Sequence, residues 1–551
     1  MKEAIIILGA GVMQEPAINI AKELGFYTIV LDGSTSAPCI SMADRFEQID
    51  LKDKDGIETF ARSVLSSYSR LGIMTAGTDF SASVAWTAEK LGLPGIPYEA
   101  ALNASDKGRM RECFKKANLP SPPFAVISDH SMKIPDYLIF PLVIKPVDNM
   151  GSRGCRRIDN IDEFPEAAKT AINFSRSGNA IIESYMDGPE FSVDAIVYKG
   201  EVTICGLADR HIFFPPYFIE MGHTMPTVID LEKQKAMLDT FCKGINALGI
   251  AGKDNIGAAK GDIKLTAGGP MIGEIAARLS GGYMSGWTYP YSSGALPIKA
   301  AILAAMGREP EGLNPTKKWT CAERAFISIP GTVKQIVGTE KAQETEYVNN
   351  FFLRIKEGDK VAFPENNVTK CGNIIASAPG RETAIKAAET AARAVLIRLD
   401  PADMETGEFL EDFHAGNAGG RGERRENEGE EKRFPPDAFL LTDELNEALS
   451  KVPEIVISNS PVFLPYIIPF PELETSNLCD YMGRTVQEAL DAVRLLTGFP
   501  LPKAPENAEN IIRLDRSFWT ALIRGSYQGA VYYIDKLEEA WAKSKVYSYC
   551  S

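Results

Sequence analysis

The first 32 residues set the fold class. Residues 4–8, AIIIL, form a short apolar run that stops at Gly9-Ala10-Gly11. A helical pattern follows to Leu24, and a second apolar run, TIVLD, fills 28–32. Apolar runs this short, bounded by glycine, suit buried strands rather than helices. Strand, helix, strand at this spacing predicts a parallel α/β sheet, and GIMTAG (72–77) supplies a later strand. Gly9-x-Gly11 opens a helix, and Asp32 ends the second strand, as at the start of a dinucleotide fingerprint. Gln14 stands where the third glycine belongs, which weakens a nicotinamide reading. The helix start still offers backbone N–H groups to a carboxylate or phosphate. A tight turn without a ligand explains the same residues.

Bulk properties narrow the classes. A chain of 551 residues is too long for one core and should divide into about three or four domains. The net charge of -14 disfavours a nucleic-acid partner held through phosphates. Nine scattered cysteines without CxxC, and four histidines, argue against a disulfide framework or a zinc site. The apolar run after MKE is shorter than the ~7–15 residues of a signal core. No apolar run reaches the ~18 residues of a membrane span, and VFLPYIIPF (462–470) is broken by two prolines. A reducing, cytoplasmic setting is expected.

Four stretches carry chemistry. Lys107 begins a helix in ASDKGRM. Lys145 lies in the strand LVIKPVD, ahead of a loop holding Asn149, Met150, Gly151, Ser152 and Gly154. A lysine inside an apolar strand, beside a small glycine-bearing loop, is a way to neutralise phosphate oxygens. In IIESYMDGPEFSVD, Glu183 ends one strand and Glu190 begins the next; alone, Glu190 reads as a surface acid at a turn. Last comes AKGDIKLTAGGPMIGEIAARLSGG (259–282), with Asp262 on one arm of a hairpin, Glu274 on the other and Arg278 beyond. The two acids can converge, and paired carboxylates facing a triphosphate suit magnesium. Arg278, a few residues beyond, is able to hold charge that develops on a transferring phosphoryl group.

This order of motifs resembles the ATP-grasp superfamily over about residues 1–400. The resemblance implies an N-terminal parallel-sheet domain, then the α+β grasp and an extra C-terminal domain. The expected boundaries are 1–97 for the first domain and 98–316 for the grasp, with a lid at about 122–186. A subdomain of the biotin carboxylase kind follows at 317–413, then a flexible linker at 414–433 and an extension of unknown role at 434–551. By position, Lys107 and Lys145 would bind ATP phosphates under the 149–154 loop. Glu183 and the backbone of Ser184, Tyr185 and Met186 would meet adenine, and Glu190 the ribose. Asp262 and Glu274 would hold Mg2+, with Mn2+ as a substitute.

The usual Asn-Pro after the second acid is Ala276-Ala277 here, which leaves one metal or two open. Glu-x-Ala-Ala-Arg instead looks like the L-amino-acid (dipeptide) ligase branch, as does EMGHTMP (220–226). His223, with Glu220 beside it, is therefore the substrate-site candidate, and Arg278 the residue at the acyl phosphate. The implied function is ATP-dependent joining of a carboxylate to an amine through an acyl phosphate, with ADP released. Small-molecule substrates and a homodimer are expected, and no nucleic acid or membrane. A bicarbonate-phosphorylating enzyme and a non-catalytic nucleotide-binding module are the alternatives. Nothing recognisable covers 434–551. Its aromatic residues Phe518, Trp519, Tyr532 and Trp541 suggest that it docks on the body or at a dimer interface.

Overall fold

A computed structural model describes residues 1–411, 437–453, 469–498 and 515–548, with side chains through 539. The expected linker, 414–433, and the side chain of Trp541 lie outside the described residues. The chain divides into two compact units. One holds Met1–Glu323 and Ile375–Lys386; the other holds Arg324–Ile374 and everything from Ala387.

The first unit opens with β1 (Glu3–Leu8), β2 (Tyr27–Asp32), β3 (Arg45–Gln48) and β4 (Arg70–Thr75), in the order β3-β2-β1-β4. Every pairing is parallel. Ile5, Ile6 and Ile7 are all fully buried, because helices cover both faces of a parallel sheet. Gln14 closes the loop after β1. Its Oε1 accepts from Gly11 N at 3.0 Å, and its Nε2 donates to the Ala76 carbonyl at 2.5 Å. Ala10 N donates to Asp32 Oδ2 at 2.8 Å. The Ala10 and Gly11 amides are thus used within the chain, and the Gln14 side chain fills the cradle a pyrophosphate would need. The dinucleotide reading fails on this residue.

A second sheet is made of β5 (Phe124–Ile127), β6 (Leu142–Pro146), β7 (Arg156–Ile158) and β8 (Ala180–Ser184). Its order is β5-β8-β6-β7, antiparallel throughout. The helix Phe164–Phe174 buries Phe164, Ala168 and Ala171 against it.

The third sheet carries most of the expected site residues. Six of its eight described strands are β9 (Glu190–Tyr198), β10 (Glu201–Phe213), β11 (Ile219–Met225), β12 (Ile256–Thr266), β13 (Gly269–Ala276) and β14 (Thr320–Phe326). They run β13-β12-β9-β10-β11-β14. β9 and β10 join through Lys199-Gly200, both at positive φ. The β12–β13 turn is Ala267-Gly268, since Thr266 pairs with Gly269. Phe191, Val193, Ala195 and Val197 alternate toward a core with Phe114, Phe241 and Ile245 from the helices Lys107–Lys116 and Leu231–Ala247. That alternation turns Ser192 and Asp194 to the opposite face.

In the second unit, Gly331–Val337 is the central strand between Lys360–Val361 and Leu396–Leu399, both antiparallel to it. Residues expected to form a separate extension share one core with this sheet: Leu396 clusters with Phe439, Phe470, Leu490, Val493, Phe518, Trp519 and Ile523. The helix Val486–Thr497 starts with a capping box between Thr485 and Glu488. The last helix, Arg516–Ser548, breaks at Ser526, whose φ is 53° and whose hydroxyl donates to Asp480 Oδ2 at 2.5 Å.

Candidate active site

The hairpin places Asp262 directly opposite Glu274. The register shifts just after this pair, because Gly273 is an extra residue on β13. That bulge turns the Gly273 carbonyl to Arg111, whose Nη2 donates to it at 2.7 Å. The two acids therefore share one face, as the sequence predicts.

Around them runs a chain of charges. Lys107 Nζ lies 3.5 Å from Glu274 Oε2 and donates to the Asn149 carbonyl at 2.9 Å. Burial works against the ionised Glu274, but Lys107, Lys260, Lys145 and Arg278 overcome it and hold the carboxyl at about 2. Lys145 Nζ lies 2.7 Å from Glu183 Oε2, and Arg111 Nε donates to Glu183 Oε1 at 2.6 Å. Here too burial opposes ionisation, and the two cations keep Glu183 at about 2. Glu183, expected at adenine, is thus a buried counter-ion tying Arg111 to Lys145. The Ser184 and Tyr185 amides, also expected at the base, donate to the Pro123 and Pro141 carbonyls at 3.0 Å each. Arg157 stacks over the Tyr185 ring at 4.6 Å.

On the other side of the hairpin, Arg210 gathers three carboxylates. It contacts Glu190, lies 2.8 Å from Glu220 Oε2 and 3.0 Å from Asp262 Oδ1. Burial opposes the Arg210 charge, but the Asp262, Glu220 and Glu190 carboxylates raise its affinity for its proton further. Lys260 pairs with Asp262, and Lys264 Nζ lies 3.7 Å from Glu190 Oε2. Asp194 is fully buried opposite Lys260 and accepts from Ser280 Oγ at 2.5 Å. Burial pushes the Asp194 carboxyl up to about 6, against the pull of Ser280, Lys260 and Arg278.

The 149–154 loop reaches the same place. Gly151, Ser152 and Gly154 all have positive φ, and a side chain on Gly154 would meet Phe174 at 3.0 Å. Asn149 Nδ2 ties the loop to the Phe174 carbonyl at 2.7 Å. Met150 N donates to Asn149 Oδ1 at 2.8 Å. Cys155 follows; burial pushes its thiol up to about 12 despite Lys145 and Lys107, so it is no nucleophile.

Arg278 is buried, with its Nε 4.0 Å from Asp79 Oδ1. His223, expected at the substrate, has no solvent exposure. Its Nε2 meets Thr288 Oγ1 at 3.0 Å and its Nδ1 lies 3.3 Å from Glu323 Oε2. It stands opposite Arg210 in the β10–β11 register. A pocket of about 320 Å³ beside Cys205, Met225, Tyr289 and Trp319 includes none of the charged groups around the hairpin.

The sequence reading missed Arg111, Arg210, Lys260, Lys264, Asp194 and Asp79. Part of the signal was present. Glu190, Ser192 and Asp194 alternate along β9, as do Lys260, Asp262 and Lys264 along β12. The register sets these two rows side by side, so they were readable as one polar face.

Among the described residues, no group of three or more His, Cys, Asp or Glu side chains gathers to hold a metal. The donor set still fits magnesium: two hard carboxylates face each other, and the remaining ligands would be phosphate oxygens and water.

The ATP-grasp domain family matches residues 138–285, and the family described as L-amino acid ligase C-terminal domain 2 matches residues 325–400. Carnosine synthase 1 of Gallus gallus is 23% identical over 333 residues, covering 56% of this chain and 35% of that enzyme. D-alanine–D-alanine ligase B of Pseudomonas putida is 26% identical over 170 residues, covering 29% of this chain and 52% of that enzyme. The chain thus spans about a third and about a half of these two relatives. Among solved structures, L-amino acid ligase from Bacillus licheniformis superposes with a TM-score of 0.61 at 21% identity, covering 73% of this chain and all of that one. Phosphoribosylglycinamide synthetase from Anaerococcus prevotii gives 0.57 at 21% identity, over 72% of this chain and all of that one. Residues 138–285 thus carry an ATP-grasp domain, and residues 325–400 match the domain described as L-amino acid ligase C-terminal domain 2.

Proposed function

We propose that this chain is an ATP-dependent ligase that joins a carboxylate to an amine and releases ADP, with an amino acid among its substrates. The observation that carries this is the Asp262–Glu274 pair, with Lys107 beside Glu274 and the charges of Lys260, Lys145 and Arg278 acting on it. ATP phosphorylates the carboxylate, and the amine then displaces phosphate from the acyl phosphate.

Each group has a task in that sequence. Lys107 and Lys145 neutralise phosphate oxygens, and the Asn149–Gly154 loop covers them. Asp262 and Glu274 would hold magnesium, which supplies charge neutralisation between phosphate oxygens. Glu190, steered by Arg210 and Lys264, accepts from ribose hydroxyls. Arg278 meets the charge that develops on the transferred phosphoryl group. Closing the loop keeps water from the acyl phosphate.

The test is ADP release over a panel of carboxylates and amines, with the product identified by mass spectrometry. An amide product that needs both substrates is expected. ADP release driven by bicarbonate without an amine would replace this reading with a carboxylase. ATP binding without turnover over the whole panel would replace it with a nucleotide-binding module.

A further inference from the structure

Arg278 and Asp79 face each other with bonding capacity to spare. Both side chains are only 10% exposed, and their nearest atoms, Arg278 Nε and Asp79 Oδ1, are 4.0 Å apart. A charge-assisted hydrogen bond closes to about 2.7–2.9 Å, so this pair is not bonded. Arg278 Nη1 donates to the Leu279 carbonyl at 3.2 Å, but Nε is buried without a hydrogen-bond partner. A buried guanidinium N–H left unmet is costly unless something else occupies it.

The pair is held apart by backbone. Ala76 and Leu279 form an isolated parallel bridge, and Gly77 N donates to the Leu279 carbonyl at 3.3 Å. Gly281 sits so close to Gly77 that a side chain there would meet the Gly77 carbonyl at 3.0 Å. Asp194 fixes Ser280 through its hydroxyl and its amide. Arg278 and Asp79 therefore project from two segments whose backbones are bridged to each other.

An arginine with an unmet N–H beside an aspartate to which it is not bonded matches a small molecule with one negative and one positive group on a single carbon. We infer that Asp79 binds the ammonium of an α-amino acid substrate while Arg278 binds its carboxylate. This rests on the ligase reading and names the substrate class at its acyl-phosphate end. Asp79 then selects amino acids over plain carboxylic acids.

Calorimetry on the full chain with Mg2+ and a non-hydrolysable ATP analogue tests it. The probes are the twenty proteinogenic L-amino acids and the des-amino form of each one that binds. The wild type is expected to bind at least one amino acid about 10- to 100-fold more tightly than its des-amino form, the range of one charge-assisted contact. Asp79→Asn should lose that margin and bind the des-amino form as the wild type does. Asp79→Ser serves the same comparison should Asp79→Asn not fold. A margin that survives both substitutions overturns the inference, as does equal loss for both ligands or a wild type that shows no margin. ADP release is scored separately. Turnover with plain carboxylic acids and no amino-acid margin sinks the role of Asp79 and leaves the ligase reading intact. A margin without any turnover does the reverse.

Discussion

Arg111 and Glu183 form an ion pair that neither side chain leaves for water: Arg111 is fully buried, Glu183 is 3% exposed, and Nε to Oε1 is 2.6 Å. Such a pair adds little stability over an apolar substitute, but breaking it strands a buried charge at a cost of about 3–5 kcal/mol. Glu183→Gln should therefore destabilise the first unit by about that much at pH 7. Glu183 sits at about 2, below its unfolded value near 4.3. Its contribution is present above the unfolded value and fades as pH falls toward 2. Chemical denaturation of both proteins from pH 7 to pH 3 checks this. A difference that does not shrink over that range would count against the pairing.

Lys145 answers Glu183 from the other side and is placed by it to meet phosphate. Lys145→Ala should weaken ATP binding by about 1.5–3 kcal/mol, the value of a hydrogen bond to a charged group. Glu183 keeps Arg111 in this variant, so the fold should hold. Calorimetry with ATP and Mg2+ measures it, and unchanged affinity would remove Lys145 from the phosphate site.

Asp262 and Glu274 are expected to be needed for turnover and dispensable for folding. Without Asp262, Arg210 keeps Glu190 and Glu220; without Glu274, Lys107 keeps its hydrogen bond to the Asn149 carbonyl. Asp262→Ala and Glu274→Ala should both lose ADP formation while their thermal unfolding stays close to that of the wild type. Full turnover in Glu274→Ala would sink the metal assignment.

The hairpin was legible because its information is local: two acids, a turn and a period of two fix which face each side chain takes. β1 and β2 were legible for the same reason. What could not be read was how distant segments meet. Arg111 lies on a helix 72 residues from Glu183, and nothing near it in sequence marks it as a buried partner. Asp79 and Arg278 come together only through the Ala76–Leu279 bridge. His223 was placed at the substrate by resemblance, and only the packing of Thr288 and Glu323 shows it enclosed. The last segment was expected to dock, on the body or at a dimer interface, but which residues it docks on could not be read. Its apolar residues share one core with Leu396.

Asp194 should leave its mark on pH dependence with the opposite sign to Glu183. Its carboxyl is raised to about 6 by burial, against the Ser280 hydrogen bonds, so the folded chain keeps a proton that the unfolded chain loses near 3.9. Its favourable share is present below about pH 4 and is lost as pH rises through about 6, by up to about 3 kcal/mol. Asp194→Asn cannot ionise. The stability of the wild type relative to this variant should fall between pH 4 and pH 6.5 and then level off. Using the difference cancels the other carboxylates, whose contributions run the other way. A difference that is flat across that range would mean that Asp194 titrates normally.

The final prediction concerns what holds the last hundred residues in the second unit. Trp519 and Phe518 are at most 1% exposed and sit in one cluster with Leu396. Polar contacts reinforce that core. Arg398 grips Asp535 with two hydrogen bonds, of 2.8 and 2.5 Å. Tyr527 accepts from Ile397 N at 2.8 Å, and Gln528 bonds both Ile329 N and the Ile397 carbonyl. Tyr532 donates to the Asp403 carbonyl at 2.9 Å. Residues from 515 onward therefore supply the partners of buried backbone groups on strand Leu396–Leu399, and removing them would expose both an apolar face and unpaired amides. Trp519→Ala should cost about 3–5 kcal/mol, in the range of a large core truncation. Proteolysis within 415–433 should give two pieces that co-elute on gel filtration, keep ADP-forming activity and separate only under denaturing conditions. If the pieces part cleanly and each stays folded, the shared core does not exist in solution.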